Sequence, residues 1–239
     1  MILWSAIIAV LSVPGQLTGG WAGVRKVGGC VNLWSKGMAK IINLRVTISG
    51  EMPSSSGGRG GLVVSNHLGY IDIITHGSVL KIRHAPKADI ALWPLLGWYV
   101  GLSRPIWVDR TSRQASKKIF TDYAETMRNG MLLMVYPEGT STDGRHGILP
   151  FKSASFEAAI ASDAPIYPVI TRYKEPPGRG SVPWYGDMSF LPHVWRILKL
   201  PRIEAELRFL PPVLPSGSPR KELASLVHDM MAAEYEKIS

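Results

Sequence analysis

The chain has 239 residues, which is long enough for one full hydrophobic core and a smaller appendage. Lys and Arg number 27 against 18 Asp and Glu, so the formal net charge is +9. A basic surface suits nucleic acid, an anionic membrane or a phosphorylated substrate. The sequence has no RNA-binding aromatic signature and no dense basic run, and its mean hydropathy of +0.07 favours the membrane. The single cysteine, Cys30, excludes an internal disulfide.

Two apolar segments open the chain. Residues 1–13 are almost wholly apolar and are followed by Pro14 and Gly15, which we expect to end the helix. This segment is shorter than the ~20 residues that a spanning helix needs, and it lacks the basic start of a signal peptide. Residues 31–44 have apolar positions at helical spacing with lysines between them. We predict that residues 1–44 form a two-helix hairpin embedded in one membrane leaflet; the alternative is a pair of core helices.

The next segments begin an alternation of strands and helices. Residues 45–49 and 62–64 are predicted strands. The glycine- and serine-rich stretch 53–61 between them is predicted to be a linker, because it precedes a strand and lacks the Gly-Lys-Ser/Thr of a phosphate-binding loop. Gly69 then breaks the apolar pattern, and helical spacing begins at Tyr70.

His67 therefore lies where a strand turns into a helix, which is a usual position for active-site residues in α/β folds. On one continuous helix, His67 and Asp72 would point about 140° apart. The two side chains can meet only if the backbone from His67 to Gly69 is not helical, which Gly69 permits. In that geometry Asp72 accepts a hydrogen bond from one imidazole nitrogen and leaves the other nitrogen free as a base. The alternative is a structural histidine.

The rest of the chain continues the alternation. Strands are predicted over 82–85, 105–109, 131–136, 165–170 and 204–210, and helices over 113–128, 151–161, 190–198 and from 219 onwards. The apolar stretch 90–98 contains Trp93 and Trp98 and belongs either to the core or to a surface that faces lipid or an acyl chain. The pattern predicts an α/β domain over 45–239, with a mixed, largely parallel sheet flanked by helices.

Two short motifs carry a family resemblance. The stretch 66–72, Asn-His-x-x-x-x-Asp, resembles the NHx4D signature of the glycerolipid acyltransferases. The stretch 136–140, Tyr-Pro-Glu-Gly-Thr, is similar to the family's Phe-Pro-Glu-Gly-Thr block, and a Val-Asp-Arg segment at 108–110 lies between the two. The resemblance extends over roughly residues 45–169 and, more loosely, over the N-terminal segment.

The resemblance implies acyl transfer to an alcohol, with His67 as the general base and Asp72 as its partner. The hydroxyl of the substrate is then the nucleophile, so no enzyme serine is required, and the chain has no Gly-x-Ser-x-Gly elbow of a serine hydrolase. The remaining histidines have no metal-ligand spacing, so we expect no metal and no cofactor. Acyl-CoA or acyl carrier protein would supply the acyl group as a co-substrate.

The resemblance also implies a set of acceptor-binding residues, which comprises Asn66, Arg104, Arg110, Glu138, Gly139, Thr140 and Lys152. Arg110 is expected to contact phosphate, because a guanidinium makes paired hydrogen bonds. The chain departs from the family pattern at two positions. Arg104 stands where the family has a small residue, and Ser141 stands where an arginine often follows Glu-Gly-Thr. Arg104, Arg145 and Lys152 are the cations available to replace that charge.

The sequence thus predicts a peripheral or monotopic enzyme at an anionic membrane surface, on the cytoplasmic face, with no nucleic-acid partner. The expected acceptor is a lysophospholipid, first of all 1-acylglycerol 3-phosphate, whose acylation gives phosphatidic acid. Ser141 leaves open a lysolipid without a terminal phosphate, such as lyso-ornithine lipid. A non-catalytic lipid-binding protein on the same scaffold is the alternative from another class.

Overall fold

The computed structural model describes residues 1–53, 60–109, 113–215 and 217–238. Two helices, α1 (Ile2–Leu17) and α2 (Gly20–Ile41), precede the sheet. The strands are β1 (Leu44–Ser49), β2 (Gly61–Ser65), β3 (Ile82–His84), β4 (Leu132–Val135), β5 (Ile166–Tyr173) and β6 (Ile203–Phe209). The other helices are α3 (Ile71–Val79), α4 (Leu96–Gly101), α5 (Arg113–Arg128), α6 (Ala154–Ala161), α7 (Phe190–Leu198) and α8 (Arg220–Ile238), with a 3-10 turn over Ala88–Leu92.

The six strands form one sheet in the order β1-β6-β5-β2-β4-β3. Neighbours are parallel except β5 and β6, which are antiparallel. The predicted fold class, a mixed and largely parallel α/β sheet, is confirmed. Val64 of β2 pairs with Val135 of β4, so His67 and Glu138 each follow three residues after this pair and leave the sheet at the same edge.

Helices cover both faces of the sheet. One face packs against α5, α6 and α8, with Leu62 and Leu133 of the central strands beside Phe156 and Val227. The other face is covered by α2, α3 and α7, whose buried residues pack against the first residues of β1 and β6. The central strands are buried on both sides, which explains why they are continuous apolar runs and not alternating ones.

The N-terminal helices differ from their predicted bounds. The prediction that Pro14 and Gly15 end the first helix is wrong, because α1 continues to Leu17. A Cβ on Gly15 would lie 2.9 Å from Cγ2 of Val27, so this glycine permits close contact with α2 and does not terminate α1. Likewise α2 begins at Gly20 and not at 31, and Gly23 in its first half lies against the carbonyls of Gly15 and Thr18 at the end of α1.

The two helices of the hairpin have different environments. α2 contributes Met38, Ala39 and Ile42 to the core beside β1. α1 exposes most of its apolar residues, including Ile2, Leu3, Val10 and Leu17. In the part of the chain that the structure describes, no helix has both the length and the apolar character to cross a membrane. The division at residue 44 stays a prediction.

The predicted strand over 105–109 is also wrong. Only Val108 forms a bridge, to Lys87, although the segment runs beside the continuation of β3. Pro86 and Pro105 lack the N–H groups that a regular ladder requires, so the pairing is interrupted. The N–H groups of Ile106 and Val108 still donate to the carbonyls of His84 and Pro86.

Candidate active site

The turn between β2 and α3 wraps around the Asp72 carboxylate. The backbone N–H groups of Leu68 and Gly69 donate to Asp72 Oδ2 at 2.7 Å and 3.0 Å. Gly69 has a φ of +140°, and a Cβ there would lie 2.9 Å from the backbone nitrogen of Trp184. The turn therefore requires glycine for both its conformation and its packing.

His67 and Asp72 are in direct contact, as their spacing around Gly69 predicted. His67 Nδ1 lies 2.7 Å from Asp72 Oδ2, and the hydroxyl of Tyr173 donates to Oδ1 at 2.8 Å. The Asp72 side chain is fully buried, whereas 24% of the His67 side chain is exposed. Because Nδ1–H donates to the carboxylate, Nε2 is the nitrogen that carries the free lone pair.

Glu138 binds the backbone of His67 and that of a second loop. Its Oε1 accepts the His67 N–H at 2.6 Å, and its Oε2 accepts the Leu149 N–H at 2.9 Å. Burial raises the pKa of Glu138, and these two hydrogen bonds oppose that shift. The His67 carbonyl in turn accepts the Thr142 N–H at 2.9 Å. The Glu-Gly-Thr corner thus fixes the position of His67, a contact that the sequence pattern does not predict.

A tyrosine and a second histidine pack behind the His67–Asp72 pair. The Tyr136 ring stacks on the His67 ring with centroids 4.1 Å apart. His76 Nδ1 lies 2.8 Å from the Asp72 carbonyl and 3.1 Å from the Tyr136 hydroxyl, and its Nε2 contacts Thr171 Oγ1 at 2.9 Å. Burial lowers the pKa of His76 to about 4, so the ring is neutral near pH 7.

Asn66 and Arg104 are occupied by other parts of the fold. The amide of Asn66 is buried and forms two hydrogen bonds with the backbone of Thr171, at 2.9 Å and 2.8 Å. The Arg104 guanidinium donates to Gln16 and to the carbonyl of Thr18, at the C-terminal end of α1. These contacts join Asn66 to β5 and Arg104 to the N-terminal helix.

Lys152 lies against the Glu-Gly-Thr corner. Gly139 has a φ of +77°, and a Cβ there would collide with Lys152 Nζ. Thr140 is exposed next to it. Lys152 also lines an open cavity of about 570 Å³ between the start of α6 and α8, together with Lys221 and His228. The structure thus brings Gly139, Thr140 and Lys152 together with the His67–Glu138 corner.

Two other cations, Arg145 and Arg110, were also expected to bind the acceptor. Arg145 is exposed and pairs with Glu175 at 2.8 Å. Arg110 lies outside the described residues. Among the residues that the structure does describe, no group of three or more His, Cys, Asp or Glu side chains could hold a metal ion. Chemically, the site therefore offers one oriented imidazole base and at least one nearby cation.

Comparisons with known proteins find similarity to lipid acyltransferases. A lyso-ornithine lipid O-acyltransferase from Rhodobacter capsulatus is 33% identical over 193 residues, which cover 77% of this chain and 68% of that protein. A 1-acyl-sn-glycerol-3-phosphate acyltransferase from Neisseria gonorrhoeae is 27% identical over 175 residues, covering 73% of this chain and 68% of that protein. The crystal structure of the LPA acyltransferase PlsC from Thermotoga maritima has the same fold, with a TM-score of 0.65, 21% identity, and coverage of 99% of this chain and 93% of that chain.

The family model described as Acyltransferase matches residues 43–172, which is more than half of the chain. The match includes both corners that meet at the sheet edge, residues 66–72 and 136–140. On these grounds the chain belongs to the Acyltransferase family.

Proposed function

We propose that this protein transfers a fatty acyl group from acyl-CoA or acyl carrier protein to the free hydroxyl of a lysolipid. The observation that carries this proposal is the 2.7 Å contact between His67 Nδ1 and the buried Asp72 carboxylate, beside the Glu138 corner. Family membership and the named relatives support the same reaction class.

The proposed mechanism uses His67 twice. Nε2 takes the proton of the acceptor hydroxyl as its oxygen attacks the thioester carbonyl, and Asp72 stabilises the imidazolium that forms. The tetrahedral intermediate then collapses, the C–S bond breaks, and the imidazolium returns the proton to the thiolate. An ester and a free thiol result, so no enzyme-bound acyl group is needed.

The first acceptor we propose is 1-acylglycerol 3-phosphate. Lys152 Nζ supplies a positive charge at Gly139 of the Glu-Gly-Thr corner, which suits a phosphate group. The relative from Neisseria gonorrhoeae is named for this acceptor.

A lyso-ornithine lipid is the second acceptor, and particular contacts favour it. Ser141 replaces an arginine, Arg104 is bound to α1, and Arg145 is paired with Glu175. A terminal phosphate dianion would therefore meet fewer free cations than the family pattern provides. The relative from Rhodobacter capsulatus is named for lyso-ornithine lipid.

We also propose that the protein works as a peripheral or monotopic membrane protein on the cytoplasmic face. The exposed apolar residues of α1 support contact with lipid, and the net charge of +9 supports an anionic surface. A chain that acts on lysolipid would find its acceptor in that membrane.

Replacing the base tests the reaction. His67→Ala should abolish thioester release and acyl transfer while the melting temperature and vesicle binding stay near those of the parent protein. His146→Ala removes an exposed histidine and is the matched control. An active His67→Ala protein would end the proposal.

The acceptor is decided by a direct comparison. The purified protein is assayed for thiol release with 1-acylglycerol 3-phosphate, lyso-ornithine lipid and lysophosphatidylcholine, each with acyl-CoA and with acyl carrier protein. We expect the highest kcat/KM for 1-acylglycerol 3-phosphate. A preference for lyso-ornithine lipid would establish the second acceptor instead.

A further inference from the structure

Helix α7 presents an apolar face that no other part of the described chain covers. His193 and Ile197 point inward and are buried. On the opposite side, Leu191 is 75% exposed, Trp195 is 63% exposed and Leu198 is also exposed. Large exposed apolar side chains arranged on one side of a helix are typical of an interaction surface.

This face is continuous with exposed apolar residues of the 92–98 segment. The Trp93 ring contacts the Phe190 ring at 5.5 Å, and Trp98, next in the same segment, is 68% exposed. Tyr99 of α4 donates from its hydroxyl to the Ser5 carbonyl of α1 at 3.4 Å. The surface therefore runs from α1 across the 92–98 segment to α7.

The positive charge on α7 favours an anionic partner. Helix α7 and its C-cap carry Arg196 and Lys199 and no acidic residue, and Arg202 beyond them pairs with Glu204. Lys199 Nζ lies 4.9 Å from the centre of the Trp195 ring, so the cation and the amphipathic aromatic side chain lie side by side at the end of the helix. Tryptophan beside lysine is suited to the interface of an anionic bilayer, where the ring enters the headgroup layer and the amine meets phosphate.

Helix α7 also packs against the turn that bears the base. Tyr70, three residues after His67, contacts Phe190 with ring centroids 5.1 Å apart, and its hydroxyl lies 2.8 Å from His193 Nδ1. The carbonyl of Leu68 accepts the Trp184 N–H at 2.7 Å. A bilayer in contact with α7 would thus lie next to the His67 turn.

We propose that α7 and the 92–98 segment form a second set of membrane-contacting residues beside those of α1, and that the lysolipid passes from the bilayer to His67 along this side. The occupant is an anionic lipid surface. The second half of the proposal rests on the proposed function; the membrane contact itself does not.

Vesicle flotation tests the contact. The full chain and the double variant Leu191→Ser/Trp195→Ser are mixed with vesicles of phosphatidylcholine and phosphatidylglycerol. Since both apolar side chains would be lost from the bilayer contact, the partition coefficient should fall by at least about tenfold. Leu226→Ser, on α8 in the opposite layer and 54% exposed, is the matched control and should bind like the parent protein.

Further measurements separate lipid binding from misfolding and from self-association. Circular dichroism and melting temperature should be the same for all variants, because the substituted side chains are exposed. Lys199→Glu should weaken binding to vesicles with phosphatidylglycerol and leave binding to pure phosphatidylcholine unchanged. Unchanged flotation of the double variant would overturn the proposal. So would a double variant that turns a dimer into a monomer by light scattering, because α7 would then bind a second copy.

Activity separates this proposal from the proposed function. His67→Ala should float like the parent protein, since it leaves the surface intact. The double variant should lose turnover on lysolipid embedded in vesicles and keep it on lysolipid dispersed in detergent. A parent protein that floats through α7 but acylates no lysolipid would refute the proposed function and leave the membrane contact in place.

Discussion

The Asp72 carboxylate receives four hydrogen bonds, from His67, two backbone N–H groups and Tyr173. A buried carboxylate is stable in its charged form only when such donors replace water. Burial raises the pKa of Tyr173 well above its usual value, so the hydroxyl remains a neutral donor throughout the working pH range. Tyr173 is therefore a positioning residue for the pair.

Tyr173→Phe tests that role. The variant removes the donor to Oδ1, so the Asp72 charge acts more strongly on His67 and the carboxylate is less firmly oriented. We expect kcat to fall about tenfold, in line with the loss of about 1.5 kcal/mol for a hydrogen bond to a charged group, with KM nearly unchanged.

Tyr167→Phe, on the same strand, is the control and should change neither quantity. A Tyr173→Phe protein whose kcat is unchanged would show that Tyr173 only supports the strand.

The sequence could predict the pair but not its surroundings. His67 and Asp72 are close along the chain, and Gly69 indicates the turn that joins them. Tyr173 is separated from Asp72 by 101 positions, so only the tertiary fold brings the two together. For the same reason the sequence could not predict that Asn66, which was expected to bind the acceptor, forms hydrogen bonds with Thr171.

Among the elements, the Glu-Gly-Thr corner connects two loops at the sheet edge. Glu138 accepts one N–H from the loop after β2 and one from the loop before α6. Both carboxylate oxygens are therefore in use as acceptors, and an amide in their place would direct N–H against N–H at one of the two positions.

Glu138→Gln should consequently lower kcat by about tenfold to a hundredfold, because His67 loses its fixed position, and should cost about 1–3 kcal/mol of stability. The checks are steady-state kinetics and urea unfolding. Glu175→Gln, which removes only an exposed ion pair with Arg145, is expected to leave both unchanged. A fully active Glu138→Gln protein would contradict the positioning role.

Elements with a clear apolar pattern were predicted well, and elements without one were not. α5 and α7 have the predicted bounds, because their apolar positions recur at helical spacing. The first half of α2 was missed because its glycines weaken helix propensity, whereas in the structure Gly23 permits close contact with the end of α1. Local patterns cannot show a helix that tertiary packing stabilises.

For the molecule as a whole, the buried His76 links stability to pH. Burial lowers its pKa from 6.5 to about 4, so between these values the unfolded chain binds a proton that the folded chain does not. The unfolding free energy therefore falls as pH decreases from about 6.5 to 4, by up to about 1.4 kcal/mol per pH unit from this residue. Above pH 7 its contribution is constant.

His76→Gln should lose stability at pH 7 through its hydrogen bonds and yet show a shallower decrease between pH 7 and 5. Urea unfolding at several pH values measures both. His146→Gln, at an exposed site, should keep the slope of the parent protein. An equal slope in all three proteins would show that His76 does not cause the acid sensitivity.

Three of the four hydrogen bonds on Asp72 come from the five residues just before it, whereas Lys152, at the Glu-Gly-Thr corner, comes from a distant part of the chain. The orientation of the His67 ring is thus encoded within one short stretch, and the positive charge at the neighbouring corner is encoded elsewhere. A substitution of Lys152 can therefore change that charge without altering the contact between His67 and Asp72.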